Sequence, residues 1–310
     1  MVRTKPWRTN GAFCLLLTSL IGCQRRAEPT DPTLSARAVE QGRPEAPAPR
    51  HRERRTGADV VAYNVARGGT LADVANLYKL GRAEIERLNP DLKPDAELAP
   101  ETAVVVFDGA GVQSQSVGLP HDGSIEGAMP MPDGPGRRIT ADRWKTWGSE
   151  HTVRQLDKLF DKWAQEHSNW PAVLVGNLSK REGGPLEPHK THQSGRDVDL
   201  GYVANDGSSR DGRWQQMNAK NLDCDKTWTL LQLFIDNSDV EVVYMDRKIQ
   251  RLLLRCSKRL VRQPKRQLRL WFEEAPGAKR RQTLIRHVPG HDDHFHVRFA
   301  CAANEKRCRS

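Results

Sequence analysis

Six of the ten histidines occur in two short segments that lie far apart in the chain. The first segment contains His189 and His192, and the second contains His287, His291, His294 and His296. An imidazole can bind zinc or take up a proton near neutral pH, and both roles are common in hydrolytic sites. The two segments therefore predict a metal-dependent site, provided that the fold brings them together.

Both segments continue as strands whose side chains alternate between two faces. The apolar positions suit a core, and they are Val198, Leu200, Tyr202, Phe295, Val297 and Phe299. The polar positions take the other face, and they are Asp197, Asp199, His294, His296 and Arg298. Strands placed side by side would bring His192, Asp199 and His296 together, and two imidazoles, a carboxylate and a water form a catalytic Zn²⁺ site. The alternative is a polar strand face whose histidines are satisfied by hydrogen bonds.

Two motifs, HKTHQSGRDVDLGY and GHDDHFHVRFAC, resemble the penicillin-insensitive murein endopeptidases, and the resemblance covers roughly residues 137–303. The resemblance implies membership of the metallopeptidase group that includes LytM, D-Ala-D-Ala dipeptidases and hedgehog-type domains. It therefore implies an α+β fold with an antiparallel sheet in this domain. It also implies that His192, Asp199 and His296 bind Zn²⁺ and that His294 is the catalytic histidine. His189 and His291 match further histidines of the family. We therefore expect His189 at the metal and His291 in a catalytic role, orienting water or stabilising an oxyanion.

The resemblance implies that the substrate is the D-alanyl to meso-diaminopimelyl crosslink of peptidoglycan. No Ser-x-x-Lys motif occurs in the sequence, in keeping with an enzyme that lacks an acylated serine. Two alternatives stay open at this point. One is a D,D- or L,D-carboxypeptidase that uses the same zinc centre on stem peptides, and the other is a wall-binding lipoprotein whose zinc is structural.

Residues 60–108 form a separate pattern, in which a strand, two short helices and a second strand are predicted. Thr70 and Asp73 are spaced as a helix capping box. The βααβ order and the sequence resemble a LysM domain, which implies binding of glycan strands that contain N-acetylglucosamine. The sequence departs from that family at Gly69, where Asp is usual, and at Glu101, where Gly is usual.

The N-terminus is predicted to direct export. Basic residues precede the apolar run AFCLLLTSLIGC, which ends in a sequence resembling a bacterial lipobox, and this predicts a signal peptide over residues 1–23 and lipidation of Cys23. Gln24, and not Asp, follows this cysteine, and that pattern resembles sorting to the outer membrane in Gram-negative bacteria. The protein would then be anchored to the outer membrane in the periplasm. An ordinary signal peptide is the alternative. Residues 24–58 are nearly free of large apolar residues and are predicted to be a disordered tether.

The remaining chain was divided by composition. The segment 109–136 is rich in Gly, Pro and Ser and is predicted to be a linker, and residues 137–310 are predicted to form the zinc metallopeptidase domain. The basic segment 258–287 is predicted to be a solvated hairpin or loop, with binding of acidic stem peptides as its functional alternative. The net charge of +10 on an exported protein favours peptidoglycan over nucleic acid. An oxidising compartment also favours disulfides, with the pairing left open among Cys224, Cys256, Cys301 and Cys308.

Overall fold

The computed structural model of the chain describes residues 60–310. The predicted signal peptide, the lipidation site Cys23 and the predicted tether over residues 24–58 lie outside the described residues. Within residues 60–310, no helix is both long enough and apolar enough to cross a lipid bilayer.

The N-terminal unit, residues 60–108, has the predicted βααβ order. Its elements are β1 (Val60–Asn64), α1 (Leu71–Tyr78), α2 (Arg82–Leu88) and β2 (Ala103–Asp108). Strands β1 and β2 pair antiparallel, and α1 begins with the predicted capping box between Thr70 and Asp73. Glu101 adopts a left-handed backbone with φ of 65°, the conformation that favours glycine. The chain thus keeps this backbone turn without the residue that suits it best.

The segment predicted to be a linker is ordered, and that prediction is wrong for most of its length. It contains β3 (Gln115–Leu119), β4 (Asp122–Glu126) and β5 (Met129–Pro130), and β3 and β4 form an antiparallel hairpin. Ser116 and Ile125 of this hairpin are buried. Its glycines serve tight backbone positions, as at Gly118, where φ is 74° and an added Cβ would meet a carbonyl oxygen. Glycine content reflected turns here and not a flexible connection.

A six-stranded sheet forms the centre of the second part of the chain. Its strands and one short strand outside it are β6 (Arg137–Ile139), β7 (Trp147–Gly148), β8 (Val173–Val175), β9 (Asp197–Gly201), β10 (Val240–Met245), β11 (Ile285–His287) and β12 (His294–Phe299). The strand order is β11-β10-β12-β9-β8-β6, and β7 pairs with β5 instead.

The sheet is mixed, which corrects the prediction of an antiparallel sheet. The four central strands, β10, β12, β9 and β8, pair antiparallel with one another, but the edge strand β11 runs parallel to β10 and the edge strand β6 runs parallel to β8. Each parallel pair is joined through helices, because a parallel neighbour requires a crossover connection. The antiparallel centre is the part that carries the two histidine segments.

Helices cover the sheet. They are α3 (Glu150–Glu166), α4 (Ser208–Asp211), α5 (Cys224–Asn237), α6 (Arg247–Cys256), α7 (Lys258–Val261) and α8 (Lys265–Trp271), with 3₁₀ turns at Arg143–Lys145 and Arg280–Gln282. The predicted apolar stripe of α3 is buried, including Phe160 and Trp163. The basic segment 258–287 contains the helices α7 and α8, then turns with one short 3₁₀ helix, and then β11, so the prediction of a hairpin or loop is wrong for its first half. The four cysteines form the disulfides Cys224–Cys256 and Cys301–Cys308.

The N-terminal unit packs directly on the sheet domain, and all described residues fall within one compact unit. The ring of Tyr78 meets the ring of Trp147 edge to face, with the centroids 6.3 Å apart. Glu84 on α2 accepts two hydrogen bonds from the guanidinium of Arg181, at 2.6 and 2.8 Å. We call these contacts the junction, and they fix the unit against the sheet domain.

Candidate metal centre

Strands β9 and β12 pair so that Asp199 lies directly opposite His296. Because both residues are on the same face, the Oδ1 atom of Asp199 lies 3.4 Å from Nδ1 of His296. His192 comes from the loop before β9, and its Nε2 atom lies 3.2 Å from Asp199 Oδ1 and 3.2 Å from His296 Nδ1. The fold therefore brings together the three residues expected from the sequence, and we call them the metal centre.

His192 is held in place by its loop and not by a strand. Its backbone is left-handed, with φ of 66°, a strained conformation that persists only where neighbours fix it. The Nδ1–H group donates to the carbonyl of Leu178 at 2.6 Å, and the hydroxyl of Ser179 donates to the His192 carbonyl. Gly195 lets the loop turn into β9, since its φ is 72° and an added Cβ would lie 2.5 Å from Ile125.

The hydrogen bonds at the metal centre fix which ring nitrogens carry protons. His192 donates from Nδ1, so its Nε2 atom keeps a lone pair. His296 donates from Nε2 to the Asp197 carboxylate at 2.7 Å, so its Nδ1 atom also keeps a lone pair. Within residues 60–310, Asp199 Oδ1 is buried and accepts no hydrogen bond. Three acceptor atoms thus face one another with nothing donated between them.

Such a cluster requires a positive charge. Burial alone would raise the pKa of Asp199, but His192 and His296 hold it well below its usual range. Burial would also lower the pKa of His296, but the carboxylates of Asp197 and Asp199 raise it to about 9. The metal-free centre therefore attracts a proton. The separations of 3.2 to 3.4 Å also match the distance of about 3.3 Å between ligands of tetrahedral zinc.

His189 is a second candidate for the third ligand. His189, His192 and Asp199 offer ligand atoms that all lie within 4.8 Å of one another. However, His189 Nε2 lies 2.8 Å from the amide nitrogen of Asn177, which donates, so the His189 proton is on Nδ1, the atom 3.7 Å from Asp199 Oδ2. Burial, reinforced by His192, lowers the pKa of His189 to about 4. His189 therefore turns a neutral N–H towards Asp199, whereas His296 turns a lone pair.

Asp197 contacts the metal centre through the ring of His296. It is fully buried on β9, two residues before Asp199, and its Oδ1 atom accepts hydrogen bonds from His296 Nε2 and from Arg298 Nε at 2.8 Å. Burial would raise the pKa of Asp197, but His296 and Arg298 hold it far below the usual value. The carboxylate therefore stays ionised and fixes the tautomer of His296.

His294 faces the same point from the outer end of β12. Its Nδ1–H group donates to the carboxylate of Asp293, so Nε2 keeps a lone pair and lies 3.6 Å from Asp199 Oδ1. The edge of the Trp214 ring packs against its imidazole, with the centroids 6.1 Å apart. This arrangement gives an oriented base next to the metal centre.

His291 lies beside His294, with the ring centroids 4.7 Å apart. Burial, reinforced by His294, lowers the pKa of His291 to about 4. The Nδ1–H group of His291 donates to the Pro289 carbonyl at 3.3 Å, so the neutral ring keeps a lone pair on Nε2 and can accept a hydrogen bond there but not donate one to an oxyanion. Its ring centroid is 6.0 Å from that of His296. The structure thus places His291 at the rim of the site.

The centre opens into a groove with a cavity volume of about 350 Å³. The groove is lined by Thr140, Ala141, Asp142, Lys145, Gly176, Asn177, His189, Asp199, Trp214 and His294. Asp199 and His294 both line this groove, so a ligand bound there lies next to the metal centre.

Several supporting residues were not identified as such from the sequence. Asp293 is adjacent to His294, and Asp197 precedes Asp199 on the same strand face, so both carried a signal in the pattern of carboxylates beside histidines. Asn177 and Trp214 carried none, because each is far in sequence from the residue that it contacts.

Two comparisons with known proteins agree with this geometry. The sequence profile of the penicillin-insensitive murein endopeptidase family matches residues 116–310. The penicillin-insensitive murein endopeptidase of Haemophilus influenzae is 27% identical over 218 residues, which cover 64% of this chain and 68% of that protein. The matched profile includes every residue of the metal centre and begins in the β3–β4 hairpin, so the N-terminal unit lies ahead of it.

Proposed function

The chain belongs to the penicillin-insensitive murein endopeptidase family, a family of peptidases, and we propose that it is a zinc-dependent hydrolase of peptidoglycan crosslinks. The proposed bond is the one between D-alanine and meso-diaminopimelate. The observation that carries the proposal is the convergence of three potential ligand atoms, from His192, Asp199 and His296, beside an oriented third histidine, His294.

In this proposal His192, Asp199 and His296 hold the metal. Zinc, when bound, would supply a Lewis acid that polarises the scissile carbonyl and lowers the pKa of water, so that hydroxide is present as the nucleophile near neutral pH. Asp197 holds the proton of His296 on Nε2, and Leu178 holds that of His192 on Nδ1. Both histidines are therefore held in the orientation that turns their other ring nitrogen towards the metal position, where a bound cation would displace the proton that the metal-free centre attracts.

His294 is the proposed general base and acid. Asp293 orients its ring and stabilises the imidazolium that forms when Nε2 takes the proton of the attacking water. The same nitrogen then passes the proton to the leaving amine. His189 turns its Nδ1–H group towards Asp199 Oδ2 at 3.7 Å, which places a favourable dipole beside that carboxylate. His291 at the rim donates from Nδ1 to the Pro289 carbonyl, so its Nε2 atom can accept a hydrogen bond from the attacking water and orient it.

The proposal extends to the way in which the enzyme meets its substrate. The βααβ unit over residues 60–108 holds glycan strands, and Cys23 carries a lipid that anchors the protein to the outer membrane on the periplasmic side. The βααβ order supports the first statement, and the lipobox-like sequence supports the second.

Mass analysis of purified muropeptides tests the activity. The zinc-loaded protein should convert D-alanyl-meso-diaminopimelyl dimers into monomers, and a chelator should stop the conversion. Trimmed stem peptides without monomer formation would instead identify a carboxypeptidase. If the zinc-loaded protein produced neither monomers nor trimmed stem peptides, it would be a non-catalytic wall-binding protein, and the proposal would be rejected.

A further inference from the structure

The N-terminal unit contacts two backbone segments, 143–147 and 178–181; the second holds His192, and the first is hydrogen-bonded to the second. We propose that this unit is a positioning element of the metal centre, acting from Tyr78 and Glu84 through Trp147 and Arg181. The inference rests on the proposed role of His192 as a metal ligand. The matched family profile begins at residue 116, so these contacts come from a part of the chain that the profile does not include.

The outer half of the path is the junction. Trp147 is fully buried, with the edge-to-face ring of Tyr78 on one side. The guanidinium of Arg181 lies 5.2 Å from the centroid of the Trp147 ring and is held there by its two hydrogen bonds to Glu84. Trp147 is therefore clamped between a ring of the N-terminal unit and a cation that the same unit orients.

A second contact reaches the segment that precedes Trp147. The guanidinium of Arg143 lies 5.5 Å from the centroid of the Tyr63 ring on β1, and it also donates to both carboxylate oxygens of Asp133, at 2.8 and 3.0 Å. Arg143 begins the 3₁₀ turn that ends at Lys145, a residue that lines the groove. The unit therefore fixes the whole segment from Arg143 to Trp147.

The inner half of the path consists of backbone hydrogen bonds. The carbonyl of Lys145 accepts from Leu178 N at 2.8 Å, and Trp147 N donates to the carbonyl of Ser179 at 3.1 Å. Leu178 in turn accepts from the His192 ring, and the Ser179 hydroxyl donates to the His192 carbonyl. Each step is a direct contact: Ser179 alone lies between Trp147 and the backbone of His192, and Leu178 alone lies between Lys145 and the His192 imidazole.

The strained backbone of His192 gives this path its effect. A left-handed histidine relaxes when its neighbours loosen, and relaxation would move Nε2 away from Asp199. Loosening Leu178 and Ser179 should therefore weaken metal binding, although neither residue is a ligand. The N-terminal unit prevents that loosening.

The test compares Glu84→Gln with Glu86→Gln in the full-length protein. Glu86 is a matched control, because it lies on the same helix but pairs with Arg82 of the same unit at 2.7 Å and not with the enzyme domain. Competition with a chromophoric chelator gives the zinc affinity of each variant. We expect zinc to bind about 3- to 10-fold more weakly to Glu84→Gln and with unchanged affinity to Glu86→Gln.

Two further measurements separate positioning from general destabilisation. On a short crosslinked dimer that lacks a long glycan, kcat should fall in Glu84→Gln while KM stays unchanged. The double variant Glu84→Arg with Arg181→Glu, which reverses the ion pair, should restore the zinc affinity.

Equal zinc affinities in Glu84→Gln and Glu86→Gln would overturn the inference. An affinity that falls in Glu84→Gln but is not restored by the reversed pair would also overturn it, because the loss would not act through Arg181. The affinity measurement needs no turnover, so it remains decisive even if the protein cleaves no muropeptide.

Discussion

Asp197 offers the sharpest test of how the metal centre is built. Replacing it by Asn keeps the size of the side chain but removes the charge that meets Arg298, and it leaves one acceptor oxygen where the carboxylate uses two, for His296 and for the His192 backbone N–H group. We expect Asp197→Asn to lower both the free energy of unfolding and the zinc affinity. The two effects have different sizes and can be measured separately.

The stability loss comes from Arg298, which is 7% exposed and whose Nη2 atom has no hydrogen-bond partner within residues 60–310. Breaking a buried ion pair from one side costs about 3 to 5 kcal/mol. The zinc affinity should fall about 10- to 100-fold, because His296 loses the group that fixes its tautomer. That change corresponds to about 1.4 to 2.8 kcal/mol, by which the extra stability conferred by excess zinc should shrink.

Urea unfolding with and without zinc measures both quantities, and a chelator titration checks the affinity independently. Asp157→Asn is the control, since Asp157 is also buried and paired with an arginine, Arg137, at 2.8 Å, but on α3. The control should lose stability and keep its zinc affinity. If Asp197→Asn bound zinc as tightly as Asp157→Asn does, the assignment of Asp197 as the partner of a metal ligand would be wrong.

Three other predictions concern separate parts of the molecule. His294→Ala should retain zinc but lose most turnover, whereas His296→Ala should lose zinc; metal analysis and muropeptide digestion of both variants check this, and a fully active His294→Ala would reject the role of that base. Replacing Cys224 and Cys256 by Ser should lower the free energy of unfolding by about 3 to 4 kcal/mol, given the sequence separation of 32 residues, as measured by urea unfolding. The hydrogen bonds from Arg181 lower the pKa of Glu84 in the folded protein. The stability that this ion pair contributes is therefore complete above the pKa of Glu in the unfolded chain, about 4.3, and is lost as the pH falls through the pKa of Glu84 in the folded protein. Unfolding of the wild type and Glu84→Gln should therefore differ at neutral pH and converge in acid; a constant difference would contradict this.

The central strand pair could be predicted from the sequence because strand alternation has a period of two. Asp199 and His296 each stand among buried apolar neighbours, so the side chains had to share a face once the strands paired. The loop that carries His192 was different. Its imidazole is fixed by the carbonyl of Leu178, and a backbone carbonyl leaves no trace in the sequence.

The errors arose where composition was used in place of contacts. The glycines of residues 109–136 indicated a linker, although Gly118 and Gly127 each serve a left-handed backbone position. The parallel outer strands depend on which strands lie next to each other, and that order follows from long-range pairing that no local pattern encodes. The junction was missed for the same reason, since Glu84 and Arg181 are far apart in sequence.

The junction also limits how far the enzyme can reach. If the N-terminal unit binds a glycan strand as proposed, the distance between the bound glycan and the metal centre is fixed by packed side chains such as Tyr78 and Trp147. A glycan-binding unit on a flexible linker would instead allow many such distances, and the cleavage sites would then lie at variable distances from the bound glycan. Fragments released from long glycan strands should accordingly cluster at one spacing, a periodicity imposed by the protein and not by the polymer.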